Sequence, residues 1–227
     1  VNVDRDYVYI SFSSLSKFFG PTLEVAEQIL LQPLFPEDEL RAYCEKRKQT
    51  LTIERRKVDT VVREIFAEAL FGDKHPYGIS YPEKDYDTLT RADLESLYRR
   101  LYTAENCLVV CSGRIGEEEL QGIGALAEKL PRADRSATAD FPAPRSEAYR
   151  FVERPDAVQS SLRVGRLLFT RTHPDFVGMQ VVATVLGGYF GSRLMQNLRG
   201  EHGYTYGVGA AMVNFEQAGY FAVATQV

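Results

Sequence analysis

No apolar run in this 227-residue chain approaches the roughly 18 residues needed to cross a bilayer. A helical membrane span is therefore not expected. The net charge of -4 gives no reason to expect nucleic acid or an anionic membrane as partner. There is no Walker-type phosphate loop and no GxGxxG turn, which removes the common nucleotide-binding designs. Cysteine is scarce. Cys44, Cys107 and Cys111 make no metal-binding spacing. Cys107 and Cys111 flank an apolar stretch, where an even separation would turn both thiols to one face of a strand. Buried thiols are expected there, since a disulfide across four residues of a straight strand has poor geometry. Histidine is equally scarce: His75, His173 and His202 are each more than five residues from the next.

What is present fits an ordinary soluble composition with enough apolar residues for one large or two small domains. The N-terminus VNVDRDYVYISF is too acidic and too alternating for a signal peptide. It enters a strand almost at once without an initiator Met, and the chain is expected to be an excised fragment. YVYISFSSL alternates as a strand with one wet face. Gly20-Pro21-Thr22 is expected to open a helix with Thr22 as N-cap, and a second helix starts at Pro36 with three acids in its first turn. Asp59 begins a third helix with Val62, Ile65, Phe66, Ala69 and Leu70 as its apolar stripe, ended by Gly72. Thr90-Arg-Ala-Asp93 reads as a capping box. CLVVCSG is expected to be a short buried strand, and GEEELQGIGALAEKL a helix.

Residues 131–148, rich in Pro, Ala, Ser and charge, form the one clear linker. Beyond it come a strand (Val158 to Phe169), a helix to Leu186, the Gly187-Gly188 break and a terminal strand GYFAVATQV. This order of elements predicts α+β architecture with antiparallel sheets rather than a doubly wound βαβ series.

Between the glycine break and the last strand lies SRLMQNLRGEHGYTYGVGAAM. It predicts a short helix ending in Arg199, a Gly-bearing turn and a strand from about Tyr204. Arg199 and Tyr206 are seven residues apart across that corner. Both donate hydrogen bonds, and such a corner can aim them at one carbonyl oxygen. The competing reading is a buried Arg and a core Tyr that merely fix the corner.

L-R-x-x-x-G-x-x-Y followed by G-Y-F-A-V resembles the C-terminal domain of the pitrilysin/insulinase (M16) zinc metallopeptidases. So, in the right order, do L-x-x-x-L-F-P-E-D-E-L, A-L-F-G, H-P-Y-G, T-R-A-D-L-E-S-L-Y, N-C-L-V-V-C-S-G, V-L-G-G and S-R-L. The resemblance implies antiparallel sheets with helices packed on one face, as in mitochondrial-processing-peptidase-like folds. It implies two half-domains: residues 1–130 as the second half of an N-terminal domain, the linker 131–148, and residues 149–227 as the first half of a C-terminal domain. Arg199 and Tyr206 would be the substrate-binding pair. Arg199 would hold a substrate carbonyl, and Tyr206 would donate to charge developing on a reacting oxygen.

The family's zinc motif, H-x-x-E-H, does not occur in this sequence. Its third ligand, a glutamate, would fall at Gln49 or Thr50, both poor zinc ligands; Glu54 could serve only after a register slip of one helical turn. His75 is expected to bond to backbone in a loop, His173 to stand at a helix start, and His202 to be a solvated turn residue. The resemblance therefore implies no catalytic residue and no metal or cofactor in this chain, with zinc supplied by a catalytic partner or an upstream domain. The leading reading is the non-catalytic subunit of a two-subunit peptidase, with peptide as substrate and an M16 catalytic subunit or a second copy as partner. The alternatives are part of a complete zinc endopeptidase with H-x-x-E-H upstream of residue 1, and a purely structural homologue. The two half-domains, each lacking part of a sheet, are expected to combine within one chain or by exchange between two chains, with exchange favoured.

Overall fold

The computed structural model describes residues 1–134 and 141–227. The middle of the predicted linker, residues 135–140, lies outside the described residues. The chain divides into two compact units. One gathers Val1–Asn2, Val8–Lys48 and the chain from Pro82 to the linker. The other gathers Val3–Tyr7, Gln49–Tyr81 and Phe141–Val227.

The first unit is mainly helical. α1 (Phe19–Leu31) starts three residues before the expected N-cap, so Thr22 lies inside it and its hydroxyl donates to the Phe18 carbonyl at 2.8 Å. Pro21 is accommodated because first-turn N–H groups have no helical acceptor to lose. α1 packs with α5 (Glu117–Lys129), and Lys129 pairs with Glu27 at 2.7 Å. α4 (Arg91–Leu101) has the predicted capping box: Thr90 Oγ1 accepts from the Asp93 N–H at 3.3 Å, and Asp93 Oδ2 accepts from the Thr90 N–H at 2.9 Å. Tyr98 on α4 donates its hydroxyl to the Leu30 carbonyl at 2.5 Å.

Two predicted strands fall short. Of residues 7–15 only Val8–Tyr9 (β2) pairs, with Asn2–Val3 (β1). Cys107–Ser112 forms no strand, and Leu108 and Val110 are 88% and 82% exposed. Cys107 and Cys111 are exposed as well, against the burial expected of them, while Cys44 is buried. The reason is physical. A strand's backbone groups are satisfied by a neighbour, and no strand among the described residues pairs with 107–112.

α2 (Glu37–Glu54) begins in the first unit and ends in the second. α3 (Val58–Phe71) belongs to the second, which is built on a three-stranded antiparallel sheet ordered β3-β5-β4. β3 is Ser161–Leu168, β4 Val208–Asn214 and β5 Gly219–Gln226. Ser161 pairs with Gln226 and Leu168 with Gly219; on the other side of β5, Val208 pairs with Thr225 and Asn214 with Gly219. The β4–β5 connection is a tight turn in which the Phe215 N–H donates to the Ala218 carbonyl at 2.8 Å.

α3 covers this sheet with the apolar stripe read from the sequence. Phe66 meets Tyr220 edge-on at 5.8 Å, and Arg163 on β3 reaches Asp59 at 3.3 Å. Residues 49–81 thus pack on residues 141–227 within one chain. This face is covered within the chain by residues 49–81. Its core is aromatic: Phe71 and Tyr77 are fully buried, with Phe66, Phe141, Phe215 and Tyr220 around them. Burying two such rings contributes about 1.5–3 kcal/mol each. Tyr77 stacks on Phe215 at 4.2 Å and donates its hydroxyl to Asp6 at 2.6 Å, and the other Asp6 oxygen accepts from the Glu216 N–H at 2.8 Å.

Candidate functional site

The second unit turns a corner between α6 and β4. α6 (Phe176–Ala183) continues into a π-helical turn, Thr184–Gly188. After Ser192 a second helical stretch includes the π-helical segment Met195–Glu201, which carries Arg199. π-turns widen the helix by one residue and recur at functional sites. Here the His202 N–H reaches the Asn197 carbonyl, five residues back, at 3.1 Å.

Two glycines shape the corner. Gly187 packs against β4 so closely that a Cβ would lie 2.5 Å from the Ala210 nitrogen. Gly203 has φ +64°, the left-handed conformation that ends helices. It lets the Gly203 and Tyr204 N–H groups turn back to the Arg199 and Leu198 carbonyls at 3.2 and 2.8 Å.

The return path is then locked. Thr205 is buried; its hydroxyl donates to the Gln226 carbonyl at 2.6 Å and accepts from Thr225 at 2.8 Å and from the Gly207 N–H at 3.1 Å. The Val208 N–H donates to Met195 Sδ at 3.3 Å, tying the start of β4 to the π segment. With Thr205 fixed inward, Tyr206 turns out to solvent and is 86% exposed.

The corner brings the predicted pair together. The Arg199 guanidinium carbon lies 4.7 Å from the centroid of the Tyr206 ring, over its face. It lies equally, at 4.7 Å, over the ring of Phe190, which is 73% exposed. The arrangement differs from the expectation that both groups aim their donors at one point. The guanidinium meets the phenol through its face, so its N–H groups and the Tyr206 hydroxyl remain available. Among the described residues neither group has a hydrogen bond or ion pair, and Glu201, the nearest acid in sequence, accepts from Asn197 at 3.0 Å. Phe190 escaped the sequence reading because a turn and the π-helical segment separate it from Arg199, and no regular helical spacing links them.

The histidines are scattered in environment. His75 is buried; its Nδ1 accepts from the Tyr77 N–H at 3.1 Å and its ring packs against Phe71, Tyr77 and Phe141. Burial holds its pKa below the ordinary histidine value. His173 Nδ1 accepts from the Asp175 N–H at 3.2 Å, its ring stacked on Phe169 at 4.0 Å. His202 is exposed and stacked on Tyr204 at 5.0 Å. Among the described residues no three His, Cys, Asp or Glu side chains are grouped to hold a metal ion. Gln49 and Thr50 stand in the C-terminal part of α2, and neither offers a metal-preferring donor. The described residues do not fit a zinc site. No helix among them is long and apolar enough to cross a membrane.

Helices packed on antiparallel strands make this an α+β fold, with an aromatic-stacked arginine on an exposed corner. A family model described as Peptidase M16 inactive domain matches residues 88–227. That is more than half of the chain, and the chain belongs to the M16 peptidase family. An uncharacterised zinc protease of Mycobacterium bovis is 29% identical over 174 residues, 73% of this chain and 39% of that protein. An uncharacterised zinc protease of Rickettsia bellii is 25% identical over 92% of this chain and 51% of its own length. The crystal structure of a peptidase M16 inactive domain from Pseudomonas fluorescens superposes with a TM-score of 0.82 at 24% identity, covering 93% of this chain and 52% of that one. This chain therefore spans about two-fifths to half the length of these relatives.

Proposed function

We propose that this chain is part of a non-catalytic M16 subunit that supplies Arg199 and Tyr206 to peptide bound at a zinc-bearing partner. The observation that carries the reading is the half-buried Arg199 guanidinium, stacked on two exposed rings and without an acid partner among the described residues. A structural arginine at a corner is normally consumed by hydrogen bonds; this one keeps its donors for something outside the chain. Arg199 holds a substrate carbonyl, and the Tyr206 hydroxyl donates to negative charge that develops during hydrolysis. One preorganised donor of that kind is worth on the order of 3 kcal/mol. The match to a family model described as an inactive domain supports the non-catalytic part of this reading. Metal and general base belong to the partner.

A second reading has its own support. The relatives are named zinc proteases, and this chain spans only part of their length. The metal motif would then lie in a region of the same protein that this chain does not cover. Reconstitution separates the two. The first reading predicts that the full-length protein, dialysed against low zinc, holds no stoichiometric metal and cleaves peptide only with a zinc-bearing subunit. One tightly bound zinc per protein, with cleavage in the absence of a partner, would establish the second.

A further inference from the structure

We infer that Phe190, Arg199 and Tyr206 together form a receptor for a carboxylate group of a peptide, with Phe190 as the positioning residue that makes it one. The inference rests on reading this corner as substrate-facing, and replaces the carbonyl given to Arg199 in that reading with a carboxylate.

The argument starts from the cation. Arg199 carries a full charge that no carboxylate neutralises among the described residues, and its guanidinium carbon lies over two aromatic faces at 4.7 Å each. Ring faces attract a cation without using its N–H groups, which lie in the guanidinium plane. Two such contacts restrict the plane of an otherwise flexible side chain, so the donors stay in one orientation. A planar fork of donors with fixed orientation and net positive charge matches a carboxylate, which accepts two parallel hydrogen bonds. A neutral carbonyl uses one or two of those donors and leaves the charge unmatched.

Phe190 is assigned its part by place and exposure. It comes just after the Thr184–Gly188 turn, which Gly187 presses against Ala210, so the backbone ahead of it is packed. Its ring is nonetheless 73% exposed, so the face not turned to Arg199 stays open to a bound group. Tyr206 contributes the second ring and a hydroxyl unpaired among the described residues, a further donor beside the guanidinium. A carboxylate could come from the C-terminus of a peptide or from an Asp or Glu side chain, and the experiment distinguishes these.

The test uses full-length protein carrying isotope-labelled arginine, with the Arg199 side-chain N–H signal identified by its loss in Arg199→Lys. Three probes are titrated: acetyl-Ala-Ala-Ala with a free C-terminus, its C-terminal amide, and acetyl-Ala-Asp-Ala-amide. Cleavage of an unlabelled peptide by the reconstituted system is followed in parallel. At least one carboxylate probe is expected to shift the signal saturably while the neutral amide leaves it in place, and the tighter of the two names the source. Phe190→Ala and Phe190→Leu are expected to weaken that binding about 3- to 5-fold while Phe190→Tyr retains it. A merely space-filling Phe190 would instead be replaced by leucine without loss. Equal shifts from the amide and the acids would overturn the carboxylate assignment and leave the substrate-facing reading intact. No shift from any probe, with cleavage still dependent on Arg199, would do the same. No shift and no dependence on Arg199 would overturn both.

Discussion

The Arg199 guanidinium lies over the Tyr206 ring at 4.7 Å, although the two residues are carried by a π-helical segment and by the extended chain entering β4. The contact depends on backbone that no ordinary helix would supply. The π-helical segment inserts a residue and rotates the chain beyond it, and a glycine at φ +64° reverses the chain. Thr205, tied into the end of β5, then decides which way Tyr206 faces.

The corner's glycines make separable predictions. At Gly203 a Cβ would meet nothing within 4 Å, but φ is +64°, so Gly203→Ala costs about 1–2 kcal/mol through backbone strain alone. At Gly187 a Cβ would sit 2.5 Å from the Ala210 nitrogen, so Gly187→Ala costs about 1–3 kcal/mol through overpacking. Gly209, with open space around it, is the control, and Gly209→Ala is expected to be neutral or slightly stabilising. Urea unfolding of the three variants checks the order. Loss at Gly209 equal to that at Gly187 would show that steric contact is not the cause.

The Tyr77–Asp6 bond fixes the start of the chain to the aromatic core. Tyr77→Phe removes the phenol from Asp6 Oδ1 and leaves the ring stack on Phe215 intact. A hydrogen bond to a carboxylate contributes about 1.5–3 kcal/mol, so the variant loses that much stability. Asp6→Asn, which keeps an acceptor for the Glu216 N–H, is expected to lose less. Equilibrium denaturation of both variants measures it.

His75 predicts an acid-sensitive fold. Burial lowers its folded pKa below the ordinary value of 6.5, so the unfolded chain takes up the proton first as pH falls. Its contribution is therefore complete above about pH 6.5 and is lost as pH drops from there through the lower folded value. Urea midpoints at pH 8, 6.5 and 5 should decline across this range. In His75→Phe that part of the decline should vanish, because an aromatic ring remains but nothing titrates.

Features set by near neighbours in the chain were legible in the sequence. The Thr90–Asp93 box, Gly72 after α3 and the stripe carrying Phe66 and Leu70 all depend on residues within a turn or two, and all are found. Strands depend on partners elsewhere. Residues 7–15 and 107–112 have β-forming sequences, yet pair only at Val8–Tyr9, because pairing energy comes from the neighbouring strand. The corner was legible in part. The spacing of Arg199 and Tyr206 predicted that they meet; the face-on stacking and the presence of Phe190 arise from π-turns, which no periodicity announces.

The most direct measurement is peptide cleavage by the full-length protein combined with its zinc-bearing partner, with wild type compared to Arg199→Ala and Tyr206→Phe and melting temperature recorded for each. The account predicts a loss of about 10- to 1000-fold in cleavage with little change in melting temperature, since both groups hold their donors for substrate. Full activity together with a sharply lowered melting temperature would contradict it, and would make the pair a structural fastening of the corner.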